Sequence, residues 1–207
     1  MSRASYLQHN SEYISDGKYE YEKQCHLNNT LNNVQYNEDS PLGKLLDENP
    51  NIGIGVDIGC GTGWVANLMS QTMHSVYAIE PSLAAIKIGK QIYPDNNKIR
   101  WMHGFAQDHI KNLSLSEPAI FNCFCVLSHL EDDDVIEICE QINIVSKAGS
   151  LLSFSECFGC DYHSHLWHIR EKDWWQKRFI NWDIDFFGPS LVGPKDARKA
   201  FSAKKKI

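Results

Sequence analysis

The sequence lacks any apolar run that approaches the roughly 18–20 residues needed to cross a bilayer. It also lacks a basic N-terminal start followed by an apolar stretch, which is the mark of a secretion signal. Positive charge is in deficit: the 207 residues carry a formal net charge of −6, whereas phosphate neutralisation supplies much of the affinity of nucleic-acid-binding proteins. We therefore expect a cytoplasmic protein with no membrane partner and no nucleic-acid partner.

The cysteines do not suggest a disulfide framework, because there are seven of them, an odd number. Cys123 and Cys125 lie in AIFNCFCVL, where both would face one side of a buried strand and act as small hydrophobic residues. We expect the thiols to be reduced. The 43% hydrophobic and 22% charged content is that of an ordinary globular protein, which we expect to be a monomer or a homodimer.

The chain, residues 1–207, is predicted to form one domain with three successive parts. Residues 1–50 are polar and indicate a helical lead-in or lid. Residues 51–160 alternate short apolar runs with helix-length segments, which predicts a parallel sheet with right-handed crossovers. Residues 161–207 contain a helix, EKDWWQKRF, and two runs predicted to pair as antiparallel strands at one edge, NWDIDFFGPS and KAFSAKKKI.

Within the central part, the predicted strands are IGIGVDIG, SVYAIE, KIRWMHG, AIFNCFCVLS and SLLSFSE. The predicted helices between them are GWVANLMSQT, SLAAIKIGKQIY and DDDVIEICEQINIVSK. Acidic residues 131–134 complement the dipole at the start of the last helix, and Lys147 with Gly149 would close its other end. We interpret the acidic run as a solvated turn and not as a metal site.

The stretch GVDIGCGTGW, residues 55–64, joins a predicted strand to a predicted helix and directs successive backbone N–H groups toward one point. A phosphate-binding P-loop would need Lys followed by Ser or Thr after the glycines, and neither pair is present. A dinucleotide fold needs G-x-G-x-x-G, but counting from Gly59 the third glycine position holds Trp64. What remains is an acid followed by alternating glycines: Asp57, Gly59, Gly61 and Gly63.

This pattern resembles the first motif of the class I S-adenosylmethionine-dependent methyltransferases. The resemblance continues in order along residues 50–156, with an acid, Glu80, ending the second strand, then CFCVLSHLEDDDV after the fourth, then VSKAGSLLSFSE before the fifth. It implies an α/β fold of Rossmann-like, doubly wound type, with helices on both faces of a seven-stranded sheet in the order 3-2-1-4-5-7-6 and the last strand antiparallel.

The resemblance further implies S-adenosyl-L-methionine as cofactor and S-adenosyl-L-homocysteine as product. Glu80 would bind the ribose hydroxyls and Asp57 the ammonium group, while Ala106 would contact adenine through its backbone. The chain departs from the family at Phe105, where an acid usually stands, so the polar contact would come from Gln107 or Asp108, or be replaced by packing on Phe105. The implied cofactor-binding residues are Asp57, Gly59, Cys60, Gly61, Gly63, Glu80, Pro81, Ala106 and Gln107.

Histidines are the candidates for catalysis, since a hydroxyl acceptor needs a base near the methyl group. His129 follows the fourth strand, at the edge where ligands of open α/β sheets bind. The stretch HLWHIREKDWW resembles an H-IRP-WW segment in family members that methylate sugars or other small acceptors, which would place His165, His168 and Arg170 on the acceptor side. Trp174 and Trp175 follow on a helix, either lining the acceptor side or packing that helix.

A zinc site formed by Cys157, Cys160, His163 and His165 is the less favoured interpretation of the neighbouring stretch, so we expect no metal. The sequence thus predicts an enzyme that methylates a small molecule, with a hydroxyl of a sugar or metabolite as acceptor. Two alternatives stay open. One is N-methylation of a protein or small amine, and the other is a cofactor-binding module without turnover.

Overall fold

A computed structural model of the chain describes residues 41–124, 126–157, 168, 170–189 and 198–206. Within these residues the strands form one seven-stranded sheet in the order β3-β2-β1-β4-β5-β7-β6. Strands β1 to β5 are parallel to one another, and β7 is antiparallel to both β5 and β6. The predicted fold class and strand order are therefore confirmed. The strands are β1 (Ile54–Ile58), β2 (Ser75–Glu80), β3 (Ile99–His103), β4 (Ala119–Phe124), β5 (Leu151–Cys157), β6 (Trp182–Pro189) and β7 (Arg198–Lys205).

Helices connect the parallel strands as the crossover rule requires. In the described residues they are α1 (Pro41–Glu48), α2 (Trp64–Thr72), α3 (Leu83–Ile92), α4 (Ala106–His109), α5 (Asp132–Val145) and α6 (Lys172–Arg178). Short 3₁₀ turns cover Ile110–Asn112 and Leu127–His129. The predicted strand AIFNCFCVLS is shorter than expected, since β4 ends at Phe124 and its last residues belong to the second of these turns.

The hydrophobic core has two layers, one on each face of the sheet. Along β4, Phe121 and Cys123 pack in the layer under α5 and α6, whereas Ile120 packs in the layer under α1 and α2. This alternation follows from the two-residue period of a strand. Cys123 is fully buried, as predicted for a small hydrophobic residue, and Cys125 lies outside the described residues.

The carboxyl end of α5 is capped differently from the sequence prediction. Lys205 of β7, rather than Lys147, donates hydrogen bonds from Nζ to Asn143 O and Ser146 O, both at 2.8 Å. A cation stabilises this end of a helix, because the carbonyl oxygens there lack hydrogen-bond partners within the helix. These hydrogen bonds join β7 to the carboxyl end of α5.

The helical lead-in, residues 1–40 of the predicted N-terminal part, lies outside the described residues, and the three-part division of the chain stays a prediction. Among the helices of the described segments, none is both long and apolar enough to span a bilayer.

Candidate active site

The candidate site lies at the carboxyl ends of β1, β2 and β4, the edge where open α/β sheets bind ligands. In the sheet, Ile58 of β1 pairs with Ile79 on one side and with Cys123 on the other. The glycine turn, residues 59–63, follows β1 directly and is tied to β2, because Gly59 N–H donates to Ile79 O at 2.9 Å. Segments far apart in sequence thus meet at one edge of the sheet.

The glycine turn adopts a backbone that disfavours other residues. Gly59, Gly61 and Gly63 have φ angles of 69°, 54° and 82°, in the left-handed region. At Gly63 the ring of Trp101 already occupies the place where a Cβ would stand. At Gly61, by contrast, no described atom comes within 4 Å of that place. Gly63 is therefore required by packing as well as by φ, whereas Gly61 leaves its face of the turn open to a ligand.

Glu80, the last residue of β2, is buried and braces the glycine turn. Its Oε2 accepts a hydrogen bond from Gly61 N–H at 3.0 Å, and its Oε1 accepts one from Ser82 N–H at 2.8 Å. A carboxylate can accept about four hydrogen bonds, so these two backbone donors do not prevent it from accepting others from a ligand. Glu80 thus orients the turn and presents a negative charge beside it.

Asp57 of β1 is buried with half of its carboxylate unsatisfied. Its Oδ1 accepts a hydrogen bond from Asn122 Nδ2 at 2.8 Å, since the β1–β4 pairing sets the two residues side by side. Its Oδ2 is buried and has no hydrogen-bond partner in the part of the chain that the structure describes. Burial raises the pKa of Asp57 from 3.8 to about 7, although the Asn122 hydrogen bond and the Ala66 backbone N–H lower it. Such a carboxyl group is typical of a functional site and suits a cationic ligand.

Cys60 lies inside the glycine turn and is buried. Burial raises the pKa of its thiol well above the usual value, and the nearby carboxylates of Asp57 and Glu80 raise it further. The side chain therefore stays a neutral thiol and has no nucleophilic character. Its contribution to the site is through the backbone, where Gly63 N–H donates to Cys60 O at 2.8 Å.

An apolar cavity of about 30 Å³ opens beside the glycine turn. It is bordered by four of the predicted cofactor residues, Gly59, Pro81, Ala106 and Gln107. Six apolar residues complete its wall: Ile58, Ile79, Phe105, Val126, Leu130 and Ile138. Phe105, which stands where the family usually has an acid, therefore does border this part of the site.

Gln107 contributes less to the cavity than expected, because its amide is engaged with α5. Its Nε2 donates to Asp134 Oδ1 at 2.8 Å, and its backbone carbonyl accepts from Gln141 Nε2 at 2.9 Å. The other predicted substitute for the missing acid, Asp108, is exposed. The wall that surrounds Phe105 is thus apolar, and α5 anchors the segment behind it.

The 3₁₀ turn Leu127–His129 carries the candidate base His129 and is fastened by Arg170. The guanidinium donates to Leu127 O at 2.7 Å, to Leu130 O at 2.6 Å and, through Nε, to Asp132 Oδ1 at 2.8 Å. Arg170 is buried, so it supports the turn from within instead of lining the acceptor side as predicted. Asp132 and Asp134 likewise have specific partners, which the interpretation of a solvated acidic turn had missed.

His168 lies next to the same turn. Its backbone N–H donates to Ser128 O at 2.7 Å, and its ring Nε2 is 3.6 Å from Glu131 Oε2. The structure therefore brings His168 next to the turn that carries His129, and a catalytic role for either histidine stays a prediction. His165, the third candidate catalytic residue, lies outside the described residues, as do Cys160 and His163 of the less favoured zinc interpretation.

The two tryptophans of α6 pack against other side chains of the fold. Trp175 is fully buried and packs edge-on against Phe154, with ring centroids 6.0 Å apart. Two guanidinium groups contact the Trp174 ring, with its centroid 5.1 Å from Arg170 Cζ and 4.7 Å from Arg178 Cζ. Both rings thus pack the helix, and only the partly exposed Trp174 retains an outer edge.

Two residues of the site were missed by sequence reasoning. Asn122 is the hydrogen-bond partner of Asp57, and Asp132 is the ionic partner of Arg170. A polar residue inside the otherwise apolar run AIFNCFCVL was a usable signal for Asn122, because a buried amide needs a partner. No local signal indicated that Asp132 pairs with Arg170, which lies 38 positions further along the chain.

Comparisons with known proteins agree with this geometry. Residues 56–149 match a family model described as a methyltransferase domain. The DhpI–SAM–HEP complex has 12% sequence identity and a TM-score of 0.67, with 99% of each chain covered. SAM-bound CalS10, an amino pentose methyltransferase from Micromonospora echinaspora, has 12% identity and a TM-score of 0.61, covering 79% of this chain and 87% of its own. An rRNA methylase from Streptococcus thermophilus has 16% identity and a TM-score of 0.60, covering 83% and 100%.

No curated protein sequence matches the chain. The seven-stranded order and the acid–glycine turn define a Rossmann-like methyltransferase fold. Residues 56–149 match the methyltransferase-domain model, and the whole fold is similar to that of S-adenosylmethionine-dependent methyltransferases.

Proposed function

We propose that the chain binds S-adenosylmethionine between the glycine turn and Glu80 and transfers its methyl group to a hydroxyl of a small molecule, a sugar or another metabolite. The observation that carries this proposal is the half-satisfied buried carboxylate of Asp57 directly behind the glycine turn. The cofactor carries an α-ammonium group, and a buried carboxylate oxygen without a partner is a strong acceptor for such a cation.

The remaining side chains fit the other parts of the cofactor. Glu80 stands at the end of β2 with its carboxylate already oriented by two backbone donors, so it can accept from a pair of adjacent ribose hydroxyls. The open face at Gly61 allows the nucleoside to approach the backbone closely. The cofactor would therefore contact the charge of Asp57, the oriented carboxylate of Glu80 and the exposed backbone at Gly61.

The apolar cavity beside Phe105 is the proposed adenine site. A cavity of about 30 Å³ holds one or two water molecules, so a purine ring enters only after side chains such as Val126 or Phe105 have moved. Recognition there would rest on packing and on the Ala106 backbone, because the Gln107 amide is held by Asp134. We therefore expect adenine to contribute mainly through burial of its faces.

When bound, the cofactor supplies a methyl group on a sulfonium, which leaves as a neutral thioether. The protein then has to align the acceptor, exclude water and receive one proton. We assign the proton to His129, because its turn follows β4 at the same sheet edge as Asp57 and Glu80. His168, joined to that turn through Ser128 O, is placed on the acceptor side.

The acceptor class is supported by one sequence stretch and by the fold of a similar protein. The sugar-type proposal draws on the HLWHIREKDWW stretch and on the fold shared with CalS10, described as an amino pentose methyltransferase. Because the chain shares its fold with an rRNA methylase, RNA must also be tested as an acceptor, and we expect no transfer to it. N-methylation and binding without turnover are the other outcomes of the same experiment.

The proposal is tested by calorimetric titration of S-adenosylmethionine at about pH 7 in two buffers that differ in ionisation enthalpy. If the ammonium pairs with ionised Asp57, binding should release protons, because burial raises the pKa of Asp57 to about 7 and part of the free protein is protonated at this pH. Glu80→Ala should weaken binding by about 1–3 kcal/mol, whereas Glu117→Ala, a surface change at the opposite side of the fold, should leave it unchanged. Absence of binding by the wild-type protein would refute the proposal.

Turnover is then followed as S-adenosylhomocysteine release with sugars, small alcohols, amines and RNA as acceptors. His129→Gln should keep cofactor binding and slow methyl transfer about 10²–10⁴-fold. An unchanged rate in His129→Gln would remove this residue from the mechanism. Transfer to amines or RNA alone would replace the hydroxyl proposal, and cofactor binding without any transfer would favour the binding module.

A further inference from the structure

We propose that Arg170 is a positioning residue that fixes the orientation of the 3₁₀ turn carrying His129. This inference rests on the proposed function, in which His129 receives the acceptor proton. It concerns the direction in which the imidazole points, and it assigns to Arg170 no contact with cofactor or acceptor.

The guanidinium of Arg170 contacts the turn on both sides of His129. Nη1 donates to Leu127 O at 2.7 Å, and Nη2 donates to Leu130 O at 2.6 Å. Leu127 is two residues before His129 and Leu130 is one residue after it. Because both flanking carbonyls are held by the same rigid planar group, the backbone between them cannot rotate independently of it.

The hydrogen bonds that close the turn itself are of the 3₁₀ type. Two 3₁₀-type bonds are formed within it, from His129 N–H to Val126 O at 3.0 Å and from Leu130 N–H to Leu127 O at 3.1 Å. Such bonds have poorer geometry than those of an α-helix, and short 3₁₀ segments are correspondingly adjustable. The shorter, charge-assisted bonds from Arg170 are about twice as strong as neutral ones.

Arg170 is itself held in place by two neighbours, Asp132 and Trp174. Its Nε donates to Asp132 Oδ1 at 2.8 Å, which ties it to the first turn of α5. Its Cζ lies 5.1 Å from the centroid of Trp174, on the first half of α6. Only 2% of its side chain is exposed, whereas 57% of the Asp132 side chain is, so the carboxylate offsets the buried charge while staying hydrated.

A second contact from the same segment supports this assignment. His168, two residues before Arg170, donates its backbone N–H to Ser128 O at 2.7 Å. Three acceptor positions around the histidine, at Leu127, Ser128 and Leu130, are therefore held by residues 168 and 170. These two residues and the turn that follows β4 thus form one unit.

Arginine is required at this position by geometry and not merely by charge. The acceptors come from three separate chain positions, and a planar guanidinium reaches them with three of its five donors. A lysine ammonium has one donating atom on a flexible stem and would lose at least one flanking carbonyl. We therefore expect Arg170→Lys to keep the charge and release the turn.

The experiment compares wild type with Arg170→Lys, using protein labelled with ¹³C at histidine Cε1. His129→Gln identifies the His129 ring signal in ¹H–¹³C spectra. Arg178→Lys is the matched control, because Arg178 also lies over the Trp174 ring but makes no described contact with the turn. Cofactor affinity and the unfolding temperature are measured on all variants.

In Arg170→Lys the His129 signal should shift or split and its titration curve should change, while S-adenosylmethionine affinity stays within about twofold. Arg178→Lys should leave the His129 signal as in wild type. If Arg170→Lys lowers only the unfolding temperature and the His129 signal is unchanged, Arg170 is a folding residue and the proposal is wrong. If Arg170→Lys does not fold, Asp132→Asn replaces it in the experiment, because Asp132→Asn keeps both contacts of Arg170 with the carbonyls. Asp132→Asn should then change the His129 signal to a smaller extent. An unchanged His129 signal in Asp132→Asn would also refute the proposal.

The two proposals fail in different ways. Absence of cofactor binding by wild type overturns the function, yet the His129 spectra still decide whether Arg170 orients the turn. Once an acceptor is found, Arg170→Lys should lower kcat about tenfold or more with little change in KM, since misplacement of a catalytic group slows the chemical step. A rise in KM with an unchanged kcat would contradict the positioning role.

Discussion

Replacing Asp57 with asparagine should make the protein more stable at alkaline pH while it weakens cofactor binding. Asp57 is buried, and its pKa is raised from 3.8 to about 7. An acid with a raised folded-state pKa contributes stability that is present below the unfolded pKa and is lost as pH rises through the folded pKa. Wild-type stability should therefore fall between about pH 4 and pH 7, as the unfolded chain ionises this group before the folded protein does.

The magnitude follows from the shift. A difference of about three pKa units corresponds to about 4 kcal/mol at about pH 8, where Asp57 is ionised in both states. At about pH 5 the loss is smaller, about 1–2 kcal/mol, because the folded protein still holds the proton. The asparagine amide has donors without partners at the Oδ2 position, which costs about 1–3 kcal/mol at either pH. The net gain at about pH 8 is therefore about 1–3 kcal/mol.

The assay is urea unfolding of wild type and Asp57→Asn at about pH 5 and about pH 8. At each pH, the free energy of unfolding of wild type is subtracted from that of Asp57→Asn. This difference should be larger at about pH 8 than at about pH 5 by about 2–3 kcal/mol. The cost of burying the amide and the titration of all other groups are the same in both terms and cancel. Stability curves that run parallel across this range would refute the assignment of a proton to buried Asp57. Asn122 should keep its hydrogen bond in the variant, since an asparagine oxygen still accepts.

Three further predictions concern neighbouring residues. Gly63→Ala should destabilise the fold by about 2–4 kcal/mol in urea unfolding, because it combines left-handed strain with a clash against Trp101, whereas Gly61→Ala should cost about 1–2 kcal/mol in stability and chiefly weaken S-adenosylmethionine binding. Equal stability losses in the two variants would contradict the reading of Gly61 as a ligand face. Glu80→Gln should lose about 1–3 kcal/mol of cofactor binding in calorimetry, and affinity equal to wild type would exclude a ribose contact. Trp175→Ala should lower stability by about 3–5 kcal/mol without altering affinity, and a selective loss of affinity would instead place this ring in the site.

Much of the fold could be predicted from local patterns. Apolar runs of strand length alternate with helix-length segments, and that alternation specifies a parallel sheet because parallel strands require crossovers. The glycine turn could be located for a similar reason, since alternating glycines after a strand allow the left-handed backbone that Gly59, Gly61 and Gly63 adopt. Asp57 and Glu80 were identified through the same short segments.

The supporting contacts could not be predicted in this way. Asn122 meets Asp57 through the register of β4 against β1, and Lys205 caps α5 from a strand 59 positions after Ser146. Arg170 was expected on the acceptor side, yet the structure buries it beneath the turn.

Local sequence determined which segments are strands, helices and tight turns, because backbone preference and hydrophobic period act over a few residues. The tertiary structure decided which buried polar group finds which partner. A buried carboxylate or guanidinium is satisfied by whatever the packing of distant segments places beside it. For this protein that difference separates Asp57 and Glu80, which the motif marks, from Asn122 and Arg170, whose roles depend on strand register and on the path of the chain after β5.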